Sequence, residues 1–241
     1  GKVIDPLTII EQYGTDAFRF TLAAFAAQGR DIKMSEKRVE GYRHFVNKLW
    51  NASRFAMMHI TDTCDIQTFD SLDIKSLSLP DKWILSRLQS VAKEVAQALD
   101  NYKFNDAAGA LYQFVWHEFC DWYLEAVKPV LYSEGESDKK KKTLFVLEQT
   151  LKTTLVLLHP FIPFVTEEIW HKTTGTDGSI MKAVFPLDKA DFSNFAQDPE
   201  AESQMELIIK LVAGIRTIRG EMNIQPSLLL TARVHAHDQK M

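Results

Sequence analysis

Two cysteines in 241 residues, Cys64 and Cys120, stand far apart in the chain. Neither belongs to a CxxC pair, and no histidine lies at a spacing suited to zinc, so a disulfide framework and a structural zinc site are both excluded. They read as reduced thiols of a cytosolic protein. Apolar runs are short as well. The longest, around Leu155 to Val165, is broken by His159, Pro160 and Pro163, well below the roughly 18 residues that a membrane span requires. Phosphate chemistry has no GxxxxGK loop to work with, and HExxH and GxSxG are missing too. The start, Gly1-Lys2-Val3-Ile4-Asp5-Pro6, carries no basic flank and apolar core of a targeting signal. With no initiator Met there, the expectation is a chain that begins inside a longer protein. Net charge is −4, which speaks against a globally basic nucleic-acid binder.

What is present is helix. The 46% hydrophobic and 25% charged fractions are those of an ordinary globular chain with one good core. Asp5 caps a short helix opening on Pro6 and stopping at Gly14, and Thr15 caps the next, which runs to about Ala27. A long helix continues the chain from Ser35 to about Ile60, its start capped by the Ser35 hydroxyl. Its apolar stripe is Val39, Tyr42, Phe45/Val46, Leu49/Trp50, Ser53 and Met57. Asp81 caps a helix to about Leu99, an aromatic helix starts at Asn105 and is ended or kinked by Pro129, and another runs to about Leu158. His159-Pro160-Phe161-Ile162-Pro163 turns into a short helix ending near Lys172. Beyond it the chain reads as irregular, with a short strand at 180–184, a helix over about 200–221 and a strand from Leu228 to Val234. The expected core includes Trp50, Trp83, Phe114, Trp122 and Phe161. The final strand has no visible partner, so truncation is expected at both ends.

No catalytic constellation emerges. His117 and His159 read as structural, and Glu167-Glu168, being adjacent, do not share a helical face. Lys33-Met34-Ser35-Glu36-Lys37 imitates a KMSKS loop, but Glu36 puts a negative charge where phosphate needs a positive one. The informative feature is a polar stripe on the long helix. Between Arg30 and Arg54, seven basic residues face three acidic ones, a local excess of +4 hidden in the overall sum. Arg43, Asn47, Asn51 and Arg54 stand at i, i+4, i+8 and i+11, bordered by Lys48 and Phe55. Cations hold phosphates, amides meet base edges, and an exposed ring gives a base a stacking surface. On spacing alone, a solvated helix face with Phe55 in the core is the alternative.

Several segments resemble class I aminoacyl-tRNA synthetases of the valyl type. Gly1 to Phe20 (GKVIDPLTIIEQYGTDAFRF) is similar to the segment directly after their KMSKS loop, with Lys2 in place of an expected asparagine. Asp16-Ala17-Phe18-Arg19 resembles the Asp-Ala-Leu-Arg signature of their anticodon-binding fold, with Phe18 for leucine. The likeness continues in order through GRDIKMSEKRVEGYRHFVNKLWNASRF (Gly29 to Phe55), WHEFCDWYLEAVKP (Trp116 to Pro129), HPFIPFVTEEIW (His159 to Trp170) and IRTIRGEMNIQPS (Ile215 to Ser227). HPFIPFVTEEIW is shared in type with isoleucyl and leucyl enzymes; GRDIK with NKLWNASRF, and EFCDWYLE, point to valine.

The resemblance implies a mainly α chain, the anticodon-binding helical bundle of class I aminoacyl-tRNA synthetases, with a small irregular and strand-containing C-terminal appendage. Residues 1–14 would link to a preceding catalytic domain, 15–172 would form the bundle, and 173–241 would begin a junction domain. It implies contact with the anticodon of a valine-accepting tRNA through Arg43, Asn47, Lys48, Asn51, Arg54 and Phe55, with Trp116 from a neighbouring helix. The intact enzyme would ligate valine to tRNA using ATP with magnesium, while this portion would bind no cofactor, catalyse nothing alone, and act as a cytoplasmic monomer away from membranes. The rivals are the isoleucyl enzyme and a helical protein-interaction bundle without an RNA role.

Overall fold

A computed structural model describes residues 5–26, 34–60, 72–135, 137–173, 178–188, 192, 197–225, 227–231 and 233. The chain divides into two compact units, Gly1–Glu202 and Ser203–Met241. In the first unit α1 (Pro6–Tyr13) starts on the Asp5 carboxylate, which accepts from the Leu7 amide at 3.0 Å. It stops at Gly14, whose φ of 90° suits glycine and admits other residues only with strain. There α2 (Thr15–Phe25) begins at once. Asp5 and Gly14 act as expected, but the cap position of α2 is Gly14 rather than Thr15.

The long helix α3 spans Glu36–His59. Ser35 occupies its cap position, but the hydroxyl makes no capping bond. Instead the Ser35 carbonyl accepts from Arg38 at 3.0 Å. The next helix, α4 (Leu79–Asp100), is capped by Ser78 and not by Asp81. The Ser78 hydroxyl accepts from the Asp81 amide and donates to the Asp81 carboxylate, so both capping contacts run through one side-chain oxygen. Asp81 itself is buried and also accepts from the hydroxyls of Tyr123 and Thr143, both at 2.8 Å. Burial raises its carboxyl above the usual carboxylate range in spite of these donors.

Residues 104–131 form one continuous helical run with an unusual middle: α5 (Phe104–Gln113), a π-helical stretch (Phe114–Tyr123), and α6 (Leu124–Leu131). Pro129 lies within α6, two residues before its end. α7 (Asp138–Leu158) starts on Ser137, and α8 (Pro163–Lys172) comes after the His159–Ile162 turn. α4 packs along α5 and α7, α2 lies between α3 and α5, and α8 rests on α2, α3 and α7.

The core is ring-rich. Phe20, Phe45, Phe114, Phe119, Tyr123 and Phe145 are fully buried, each ring contributing roughly 2–3 kcal/mol. Phe20 and Phe45 lie 5.0 Å apart by centroid and Phe45 and Tyr112 5.2 Å. Of the expected core, Trp83, Phe114 and Phe161 are buried, but Trp50 and Trp122 are only half-buried. Trp50 sits at the edge of the apolar arc of α3, where an indole is too large to be covered completely. Trp122 falls in the π stretch, where the buried face recurs every five residues (Phe114, Phe119, Leu124) and a 3.6-residue period misplaces it.

α9 (Pro199–Glu221) begins in the first unit and continues into the second. In the second unit the Arg219 guanidinium donates to the carbonyls of Gln225 and Leu228 at 2.5 and 3.1 Å. Neither expected strand forms among the described residues. Ile180–Lys182 is a single 3-10 turn capped by Ser179, and 228–231 carries no strand. A strand needs a neighbour to satisfy its backbone, and none is available at either place among the described residues. The rest of the last expected strand (232 and 234) lies outside the described residues, as do Cys64 and Lys33.

Candidate nucleic-acid interface

The first unit's N-terminal signature works as a clamp. Asp16, buried on α2, accepts from the amides of Phe164 (3.2 Å) and Val165 (2.7 Å), so it caps α8 across 148 residues of sequence. Burial pushes the Asp16 carboxyl up, opposed by those two amides and by Arg19. Arg19, one turn on, donates from Nη2 to the Pro160 carbonyl (3.0 Å) and from Nε to that of Phe161 (3.3 Å). Both ends of the His159–Pro163 turn are thereby tied to α2. Within the turn, His159 Nδ1 lies 2.8 Å from the Thr166 hydroxyl, and burial holds the imidazole pKa below its ordinary value. His159 thereby joins the turn to α8.

α3 packs on α2 and α8, the elements this clamp joins, with one side toward the core and the other outward. Phe45, Leu49, Ala52, Ser53 and Ala56 are buried. At about 100° per residue, Arg43, Asn47, Asn51 and Arg54 fall within an arc of roughly 80° on the opposite side. Asn47, Asn51 and Arg54 are exposed and Arg43 is half-buried. Met58, one turn past Arg54 and 76% exposed, extends the stripe. The i, i+15 relation of Met58 to Arg43 was available in the sequence, but an isolated methionine carries no chemical signal there.

Lys48 and Trp116 meet, although on different elements. The Lys48 ammonium lies 4.1 Å from the Trp116 ring centroid and 2.5 Å from the Asp121 carboxylate. Asp121 also faces His117 Nδ1 at 3.3 Å, and Trp116 stacks on Tyr112 at 5.5 Å. The π register explains the grouping. Five residues turn an α-helix about 140° past a full circle, and a wider i→i+5 helix cuts that offset to less than half, bringing Trp116 and Asp121 toward the same side. Asp121 is the neighbour of Lys48 that sequence reasoning missed, because an α-helical period places it on another face than Trp116. It also balances the charge of Lys48.

Phe55 is neither a core ring nor a free platform. Half-buried, it packs edge-on to His59 (4.9 Å) and near Tyr132 (6.4 Å), with the Lys128 ammonium 5.6 Å from its centre. His59 sits 5.1 Å from Tyr132, which is 65% exposed, and burial lowers the His59 pKa. Phe55 thus belongs to an aromatic cluster between the end of α3 and the end of α6. Among the described residues no group of three His, Cys, Asp or Glu side chains could hold a metal ion, and no helix is long and apolar enough to cross a membrane.

The sequence profile of a known family, described as the anticodon-binding domain of tRNA ligase, matches residues 81–234. The chain belongs to that family. Within the anticodon-binding domain, Trp116 and Asp121 fall inside the matched residues, and α3 precedes them. The domain is 53% identical over 240 residues to a valine–tRNA ligase of Geobacter sulfurreducens, covering 96% of this chain and 26% of the relative. It is 48% identical over 247 residues to that of Desulfotalea psychrophila, covering 100% of this chain and 26% of the relative. The chain therefore spans about a quarter of the length of the curated relatives it matches. Among solved structures, it resembles the LeuRS of Agrobacterium radiobacter K84, described in a ternary complex with tRNA and LeuAMS. The TM-score is 0.56 at 17% identity, over 76% of this chain and 21% of that one. At that identity the likeness supports the fold alone.

Proposed function

We propose that this chain is the tRNA-reading portion of a valine–tRNA ligase and that it grips the anticodon stem-loop of valine tRNA. The observation that carries the reading is the outward stripe Arg43, Asn47, Asn51 and Arg54, opposite the buried side of α3, in a chain of this family. Lys48 supplies charge for phosphates, Arg43 and Arg54 supply guanidinium donors and Asn47 and Asn51 amides for base edges, and Phe55 and Trp116 supply rings. The valine identity is supported by the high identity to valine–tRNA ligases along 96% of the chain. The intact enzyme would take ATP with magnesium at its catalytic domain and work as a monomer in the cytoplasm. Residues 1–14 would link to that domain, 15–172 would form the reading bundle and 173–241 would lead onward. Reading the anticodon gives such an enzyme a second test of its substrate, which matters because apolar pockets separate amino acids one methylene apart only weakly. The purified chain is expected to bind valine tRNA transcripts more tightly than isoleucine tRNA transcripts in a filter-binding assay, while showing no valine-dependent ATP–pyrophosphate exchange. Equal binding of both tRNAs would remove the valine assignment, and exchange activity would overturn the division of labour.

A further inference from the structure

A recess of about 380 Å³ opens at the N-terminal end of the polar stripe, lined by Tyr13, Gly14, Asp16, Arg43, Asn47 and Phe164 among others. Its composition is unlike a packing defect. Phe164 is 63% exposed although it is a large apolar ring, and the Asn47 amide is exposed beside it. The Arg43 guanidinium lies 5.8 Å from the Tyr13 ring centroid. Its Nε is shielded from solvent and makes no hydrogen bond, an expensive condition for a charged donor. The Tyr13 hydroxyl is engaged by Gln12 (3.1 Å), and Asp16 is occupied capping α8. What remains for a ligand is a half-buried guanidinium that only donates, an amide that both donates and accepts, and two ring surfaces.

We infer that this recess receives one unstacked base of the bound tRNA, between Tyr13 and Phe164, with a base carbonyl or ring nitrogen turned to Arg43 and Asn47. A planar heterocycle with acceptors on its edge matches rings plus donors better than a phosphate, which calls for converging cations, and the volume exceeds that of one base. Arg43 and Asn47 also belong to the stripe, so one RNA strand could run from Arg54 and Asn51 into the recess. The inference rests on the tRNA reading above. It adds a base-binding position on α1, α2 and α8 that the stripe on α3 does not require.

The test uses Phe164→Ala, an exposed position whose loss leaves the core intact, and Asn47→Ala, each measured for melting and for affinity toward valine tRNA transcript. Loss of one stacked base predicts binding weakened by about tenfold or more for Phe164→Ala, at unchanged melting temperature. Illumination of a complex with 4-thiouridine-substituted transcript is expected to attach RNA to a peptide containing Tyr13 or Phe164. Unchanged affinity of Phe164→Ala, with Asn47→Ala and Phe55→Ala weakened, would overturn the recess and leave the tRNA reading standing. Failure of the unaltered chain to bind tRNA would instead remove that reading. Unchanged affinity in this chain with impaired aminoacylation in the full-length Phe164→Ala enzyme would assign the recess to a protein neighbour and also overturn the proposal.

Discussion

Asp121 restrains the cation that RNA should meet, so removing its charge is expected to strengthen binding. The Lys48 ammonium is 2.5 Å from Asp121, with the two side chains 25% and 42% exposed. A phosphate on Lys48 would sit about 5 Å from that carboxylate, where two unit charges repel by roughly 0.8 kcal/mol in a water-like dielectric and about 3 kcal/mol at an effective dielectric of 20. Asp121→Asn keeps the shape and one acceptor oxygen, which can serve Lys48, while its amino group replaces the oxygen that faces His117. It should tighten valine tRNA binding by roughly 1–3 kcal/mol at low salt. It should also steepen the salt dependence by up to about 0.7–0.9 units in log K against log salt. Loss of the exposed pair should lower stability by no more than about 1 kcal/mol. The control is the double variant: in a Lys48→Met background Asp121→Asn should gain much less. Anisotropy titrations at several salt concentrations measure all four proteins. Weaker binding by Asp121→Asn, or the same gain with and without Lys48, would refute the reasoning.

Three further outcomes are expected. Phe55→Ala, which leaves its cluster with His59 and Tyr132, should weaken tRNA binding by about 1–3 kcal/mol if the ring also meets a base; early melting with normal affinity of the folded fraction would make it purely structural. Asp16→Ala removes the cap of α8 and should lower stability by about 1–3 kcal/mol in denaturant titrations, whereas a loss within error would deny the clamp. Burial at Cys120 pushes its thiol up to about 12. The native protein should therefore be inert to thiol reagents acting on Cys120 at pH 8. Because the unfolded thiol ionises near pH 8.5–9 while the folded one stays protonated, stability should fall as pH rises. The unaltered chain should lose about 1.5 kcal/mol more than Cys120→Ala between pH 8 and 10; equal losses would contradict the shift.

Helical content and the outward stripe were legible because both follow from a 3.6-residue period: the apolar residues of α3 predict its buried side, and Arg43 to Arg54 fall opposite them. The start of α1 and its stop at Gly14 were legible because one carboxylate and one glycine each do a local job. The capping of α4 was misread because Asp81 looks like a cap, while its real surroundings, Tyr123 and Thr143, lie 42 and 62 residues away. The same limit hid Asp16 as the cap of α8. The grouping of Trp116 with Asp121 was out of reach for another reason, since a π stretch has no marker in residue types and shifts every face it carries.

The central claim is that the chain reads anticodon bases. The most direct test is its affinity for a valine anticodon stem-loop against the same stem-loop with the anticodon bases replaced, at one fixed salt concentration. A loss of roughly tenfold or more on replacement, carried largely by Asn47, Asn51, Arg54 and Phe55, is the predicted result. Equal affinity for both stem-loops, whatever its strength, would leave only phosphate binding and contradict the account.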